Sequence, residues 1–287
     1  MHKAALIVGY VRLTRPLGSF LIGLATFLGQ AVALGGLPLL PVVILPFLGS
    51  FFITASSFAF NDYFDFEIDR INRPDRPIPS GIISRRTALY SSIIFALLGF
   101  SFALTTNIQA FLAFSIAFFL SVVYSIYGKA YGLLGNTIVA FCVSTAFLFG
   151  ALSTTASISY VVFSFFILSF FSNLGREIVQ SIHDMEGDRV KKIRSVAIVH
   201  GPLVAAVLGS ACYAVTVFLG PLLFLNMFGE NRAFPIMIII ASEIGFLISI
   251  FYLLKDPSKE RALKTIRQVN LWMFLILIGS IMAAVFE

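Results

Sequence analysis

The sequence predicts an all-α, polytopic membrane protein of about nine transmembrane helices, and three observations carry that expectation. Of the 287 residues, 59% are hydrophobic and 12% charged, with a mean hydropathy of +0.96, outside the range of a water-soluble domain of this length. Apolar runs of about 20 residues, long enough to cross about 30 Å of hydrocarbon, recur from end to end. Of the 20 Lys and Arg residues, 18 fall on alternate loops, as the positive-inside rule requires of a chain that crosses the bilayer repeatedly.

The runs place spans near 17–34, 42–64, 87–105, 108–127, 133–152, 160–182, 202–225, 234–254 and 270–286. The first is full length and follows a basic segment with Lys3, Arg12 and Arg15, so it reads as a retained span rather than a cleaved signal. A polar break at Thr105-Thr106-Asn107 separates the third and fourth; merging them would give eight spans. The whole, 1–287, reads as one membrane domain in two related halves, roughly 17–152 and 160–286. Cys142 and Cys212 fall inside spans without CxxC or Cys/His spacing, so they read as packing residues and not as a disulfide or zinc site.

Charge sets the orientation. Three basic residues precede the first span, five lie at 70–86, then come Lys129, four at 189–194 and five at 255–267; the opposite loops contribute Arg232, and Arg176 sits within a span. The basic side is expected to be cytoplasmic, with the N-terminus inside and, after nine crossings, Glu287 outside. The net charge of +6 is mostly accounted for by topology, so nucleic acid is not expected; no obligate protein partner is evident.

Acidic residues are concentrated instead of dispersed. Asn61-Asp-Tyr-Phe-Asp-Phe-Glu-Ile-Asp69 and Asp184-Met-Glu-Gly-Asp188, with Asp75 and Glu177, hold nine of the 14 Asp and Glu residues. Carboxylates at the ends of membrane helices are costly unless they bind something. Asn61, Asp65 and Asp69 are spaced by four, about 40° from one to the next on a helix, and Asp184 and Asp188 repeat that spacing with Glu177 seven residues earlier on the same face. Two oxygen-rich stripes without His or Cys suit a hard cation such as Mg²⁺, which takes one or two carboxylates and completes its shell with substrate phosphate. Basic residues for that anion follow each stripe. Arg73 and Arg76 lie in a loop stiffened by Pro74, Pro77 and Pro79, and Arg189, Lys191, Lys192 and Arg194 follow the second. Asp62 and Glu67 point about 100° or more off the Asn61 face and are not expected to be metal ligands. Glu243 and Arg176, deep in spans, are candidates for a structural ion pair, and His183 and His200 read as interfacial residues.

Asn61-Asp62-x-x-Asp65-x-x-x-Asp69, followed about 120 residues later by Asp184-x-x-x-Asp188, resembles the paired aspartate-rich motifs of the UbiA superfamily of intramembrane prenyltransferases. The resemblance spans nearly the whole chain. It implies nine helices around a central cavity with cytoplasmic cap loops, and the two motifs at the cytoplasmic ends of the second and sixth. Asn61, Asp65, Asp184 and Asp188 would then be the Mg²⁺-diphosphate ligands, with Asp69 completing the first motif. Arg15, Tyr124 and Lys129 resemble the family's diphosphate contacts, and Tyr127 or Tyr131 could stand in Tyr124's place.

Asn61 to Gly81 with the following Ile-Ile-Ser-Arg-Arg, Gly132-Leu-Leu-Gly-Asn136 and Arg176-Glu177-Ile178 resemble the family's archaeal ether-lipid branch. That branch transfers geranylgeranyl from its diphosphate to the free glycerol hydroxyl of geranylgeranylglyceryl phosphate. Gln180-Ser181 stands where the branch commonly has Lys-Asp, and Ser195-Val196-Ala197 where it has Thr-Leu-Pro, departures that bear on the acceptor and not on the diphosphate chemistry. For the acceptor phosphate, Arg73, Arg76, Arg85, Arg86 and the 189–194 run are candidates; for the general base, Glu177 or the diphosphate. An aromatic prenyltransferase of quinone or chlorophyll type is the alternative within the family, and an ion-coupled transporter the alternative outside it.

Overall fold

The computed structural model describes residues 2–155, 157–227 and 233–285. Its helices follow the apolar runs. Helix α1 (His2–Thr14) and α2 (Pro16–Leu34) are parted by Arg15 alone, which adopts φ 44°, ψ 63° because the following proline disfavours a right-handed helical residue. Then come α3 (Leu40–Phe64), α4 (Phe66–Asn72), α5 (Arg85–Ala103), α6 (Ile108–Ile126), a 3₁₀ turn (Gly128–Tyr131), α7 (Leu133–Thr154), α8 (Tyr160–Val190), α9 (Val196–His200), α10 (Pro202–Met227), α11 (Ala233–Lys255) and α12 (Lys259–Val285). Among the described residues no strand occurs, and nine helical stretches are long and apolar enough to cross a membrane, α1 and α2 forming one of them from Leu6.

The polar break at Thr105-Thr106-Asn107 is a true turn. Asn107 caps α6, its side chain accepting from the Ala110 N–H at 3.0 Å, while its amide donates to the Leu152 carbonyl across the bundle. Three limits differ most from the apolar runs, the first stretch starting at Leu6 instead of near 17. Helix α8 continues past 182 to Val190, and α12 starts at Lys259 instead of near 270. Charged residues end an apolar run without ending a helix: Lys, Glu, Arg, Ala and Leu all favour one, and Ala262, Thr265, Ile266 and Val269 bury a single face. Glu287 and Arg232 lie outside the described residues.

At 31 residues α8 is roughly 46 Å long, well beyond the ~30 Å hydrocarbon core. Its last turns therefore overhang the core, and α4 extends α3 in the same way. Small residues bring the central helices together. A Cβ on Gly29 would lie 2.2 Å from the Phe147 carbonyl oxygen, and one on Gly150 would lie 2.0 Å from that of Thr26, so the α2–α7 crossing is closed by two glycines. Hydroxyl pairs cross the same interior, Thr26–Ser50 at 2.6 Å and Ser172–Thr216 at 3.0 Å.

Among the described residues nine helices, α2, α3, α4, α6, α7, α8, α10, α11 and α12, line a cavity of about 910 Å³, whereas α5 packs outside on α3. Along α3 the lining runs from Asp65 inward to Ser50, roughly 22 Å at 1.5 Å per residue. Polar groups line its mouth, and Phe114, Phe147, Phe149 and Phe165 line the deeper part.

Candidate active site

The first wall is built where α3 meets α4. Asp65 sits at the joint with φ −80° and ψ 0°, yet the helical bonds persist through it: Asp65 N–H donates to Asn61 O and Asp69 N–H to Asp65 O, both at 2.8 Å. The four-residue spacing therefore survives, and Asn61, Asp65 and Asp69 all line the cavity. Asn61 Nδ2 donates to Asp65 Oδ2 at 2.7 Å, while Asn61 Oδ1 is buried without a partner. Across the cavity α8 contributes Arg176, Glu177, Gln180, Asp184 and Asp188 from one face.

Asn72 ties the walls together. Its Nδ2 donates to the Asp184 carbonyl at 3.3 Å and its Oδ1 accepts from the Gly187 N–H at 3.1 Å. Only glycine allows that approach, since a Cβ at 187 would lie 2.3 Å from Asn72 Nδ2. Arg73 then reaches Asp184 at 3.3 Å, while Gln180 Nε2 donates to Asp184 Oδ2 at 2.8 Å and His183 Nδ1 lies 2.7 Å from Oδ1. His183 and Gln180 thus hold a site carboxylate, Gln180 from one helical turn before it and His183 from the adjoining position.

Asp62 has a role the sequence did not assign. It is absent from the cavity wall and 2% exposed, and its Oδ1 accepts from Arg15 Nη2 at 2.5 Å and Arg76 Nη1 at 3.1 Å. Arg76 also donates to Asp69 at 2.5 Å. Burial works against the Arg76 charge, but Asp62 and Asp69 outweigh it and hold its pKa above the ordinary guanidinium value. Arg15 and Arg76 both line the cavity, so Asp62 anchors from behind two cations that face an incoming anion.

The remaining sequence candidates divide. Tyr124 lines the cavity; Tyr127 and Tyr131 are 66% and 65% exposed and do not. Lys129 lies on the 3₁₀ turn, its side chain outside the described residues. Arg189 is exposed and off the wall. Arg85 stacks on Tyr63 and Phe66, 4.7 and 5.2 Å from the ring centroids, away from the cavity. Arg176 pairs with Glu177 at 2.7 Å, and Glu243 lines the cavity on α11. Among the described residues, no three acidic, His or Cys side chains converge as a ready metal cage.

An acid-and-arginine mouth above an apolar shaft suits an anionic head on a long hydrocarbon tail, a shape that an ion-coupled transporter does not need. Residues 22–278 match the UbiA prenyltransferase family. The digeranylgeranylglyceryl phosphate synthase of Thermococcus kodakarensis is 32% identical over 275 residues, covering 96% of this chain and 97% of that one. That of Methanosphaera stadtmanae is 31% identical over 276 residues, covering 96% and 98%. A solved structure concerned with digeranylgeranylglyceryl phosphate synthase in membranes superposes with a TM-score of 0.75 at 30% identity over 98% of this chain and 99% of that one. A UbiA homolog from Archaeoglobus fulgidus bound to DMAPP and Mg2+ shares the fold, with a TM-score of 0.67 at 23% identity over 93% and 99%. With the family match and these relatives both running along nearly its whole length, the chain belongs to the UbiA prenyltransferase family.

Proposed function

We propose that this prenyltransferase moves a geranylgeranyl group from its diphosphate to the free glycerol hydroxyl of geranylgeranylglyceryl phosphate, with Mg²⁺ bound at the acid stripes. The carrying observation is the cavity itself: Asp65, Asp184, Arg15 and Arg76 at the mouth, and a shaft roughly 22 Å deep along α3 behind them. Its volume of about 910 Å³ is near the top of the ~300–1,000 Å³ usual for ligand sites, as a twenty-carbon substrate requires. The named relatives support the acceptor.

The donor set fits a hard cation. Asn61 Oδ1 is buried and unpartnered, and the two acid stripes on the wall offer Asp65, Asp184 and Asp188. Among the described residues no three-acid cage forms, which suits an ion that shares its shell with diphosphate and water, and the Archaeoglobus homolog is described with that ion. When bound, Mg²⁺ supplies charge neutralisation for the leaving diphosphate.

The chain's own groups do the rest. Arg15 and Arg76, pre-set by Asp62, orient the diphosphate and stabilise the negative charge that builds as the allylic C–O bond breaks and its electron pair leaves with oxygen. The phenylalanine-lined shaft excludes water from the allylic cation, and ring faces stabilise it. The acceptor hydroxyl oxygen bonds to the allylic carbon and gives up its proton; Glu177 is the deepest carboxylate of α8 on the wall. A tail entering from lipid gains little by transfer, so chain length is selected by the shape of the shaft and affinity resides at the head. Leu17 on α2 and Leu271 on α12 line the cavity while 70% and 48% exposed, which supports a lateral opening to lipid on that side. The basic loops face the cytoplasm, and the acid mouth with them.

The test is the purified protein with labelled geranylgeranyl diphosphate, offered either geranylgeranylglyceryl phosphate or hydroxybenzoate. Label is expected in the digeranylgeranyl ether; transfer to hydroxybenzoate alone would sink the assignment.

A further inference from the structure

We infer that Asn136 and Ser195 form a subsite for the neutral glycerol oxygens of the acceptor, an assignment that rests on the ether-lipid reading above. Gly132 brings the two together. It opens α7 at φ 52°, and a Cβ there would lie 2.1 Å from the Arg194 carbonyl oxygen and 3.5 Å from the Ser195 Cα. Asn136 stands one turn along, its N–H bonded to Gly132 O at 3.1 Å. Both Asn136 and Ser195 line the cavity.

Each has an idle buried polar atom. Ser195 precedes α9, where a serine ordinarily caps the first turn, but its hydroxyl makes no cap bond. Ser195 is 5% exposed with Oγ unpartnered, and Asn136 Nδ2 is likewise buried without a partner. The neighbouring Ser181 hydroxyl is occupied, donating to Ile178 O at 2.6 Å and accepting from the Ala197 N–H at 3.4 Å. Buried donors without partners are rare in native proteins and point to a ligand that satisfies them.

The chemistry selects that ligand. A carboxamide N–H and a hydroxyl are uncharged donors that suit a hydroxyl or ether oxygen. Phosphate is better matched by Arg15, Arg73 and Arg76, which reach the cavity from α2 and the α4 end. Asp188 lines the cavity beside this loop, its carbonyl accepting from the Ile193 N–H at 2.9 Å, which sets the pair next to the diphosphate site. A site built to hydrogen-bond substrate oxygens discriminates strongly against analogues that lack them.

Ser195→Ala, Asn136→Leu and Ser195→Thr are compared by steady-state kinetics with geranylgeranyl diphosphate and geranylgeranylglyceryl phosphate. The first two are expected to raise the acceptor KM about tenfold each, with the diphosphate KM held within about twofold of wild type; Ser195→Thr, which keeps the hydroxyl, restores the acceptor KM. Should Asn136→Leu fail to fold, the Ser195 pair decides alone. An acceptor KM that does not move, or a diphosphate KM that rises in parallel, overturns the subsite while wild-type turnover of the glyceryl ether keeps the proposed function standing. A wild-type protein that prenylates hydroxybenzoate and not the glyceryl ether overturns both.

Discussion

Asp62→Asn isolates the anchor behind the mouth. The substitution keeps shape and removes one charge from a carboxylate 2% exposed that holds Arg15 at 2.5 Å and Arg76 at 3.1 Å. Breaking a buried ion pair costs about 3–5 kcal/mol. Two observations put this case at the low end: the Arg15 side chain is 31% exposed, and Arg76 retains Asp69 at 2.5 Å. A loss of about 3 kcal/mol in a protein of this size corresponds to a fall in Tm of about 6 °C, at roughly 2 °C per kcal/mol. Thermal unfolding in detergent reads it. Because both arginines face the cavity, the diphosphate KM should rise about tenfold, the equivalent of ~1.4 kcal/mol, while the Mg²⁺ concentration for half-maximal activity stays within about twofold. Wild-type Tm would refute the anchor, and a large shift in Mg²⁺ dependence would make Asp62 a metal ligand instead.

Other substitutions probe the framework. Gly187→Ala places a Cβ 2.3 Å from Asn72 Nδ2 and should break both Asn72 bonds to α8, costing about 2 kcal/mol and at least tenfold in kcat as Arg73 and Asp184 drift apart; unchanged kcat would show the tie is dispensable. Gly150→Ala meets the backbone oxygen of Thr26 at 2.0 Å, which cannot turn aside, so overpacking should cost about 1–3 kcal/mol or more. Gly36→Ala, with nothing within 4 Å, should shift stability by no more than about 0.5 kcal/mol, and equal Tm values for the two would contradict the close α2–α7 crossing. Asp65→Ala and Asp184→Ala should each abolish transfer in folded protein; full activity with a chelator present would remove the metal from the account.

Helical period and apolar runs made most of this molecule legible. The spacing of Asn61, Asp65 and Asp69 is enough to put them on one cavity wall, because the joint at Asp65 keeps its helical bonds. Angle alone likewise separated Asp62 from that face. What spacing does not encode is who meets whom across the bundle. The Asn72 tie, the reach of Arg73 to Asp184, and the double grip of Asp62 all join side chains to groups reached only by folding. Helix limits beyond the bilayer were hidden for another reason, since hydropathy is silent once a helix leaves the hydrocarbon.

The central claim is that the two acid stripes and the arginines beside them act as one diphosphate site. Calorimetric titration of a non-transferable geranylgeranyl diphosphate analogue, with and without Mg²⁺, tests it most directly on wild type, Asp65→Asn and Asp184→Asn. Magnesium-dependent binding to wild type that is lost in both variants alike is the predicted result. Either variant binding the analogue as wild type does, with the same response to Mg²⁺, would contradict it.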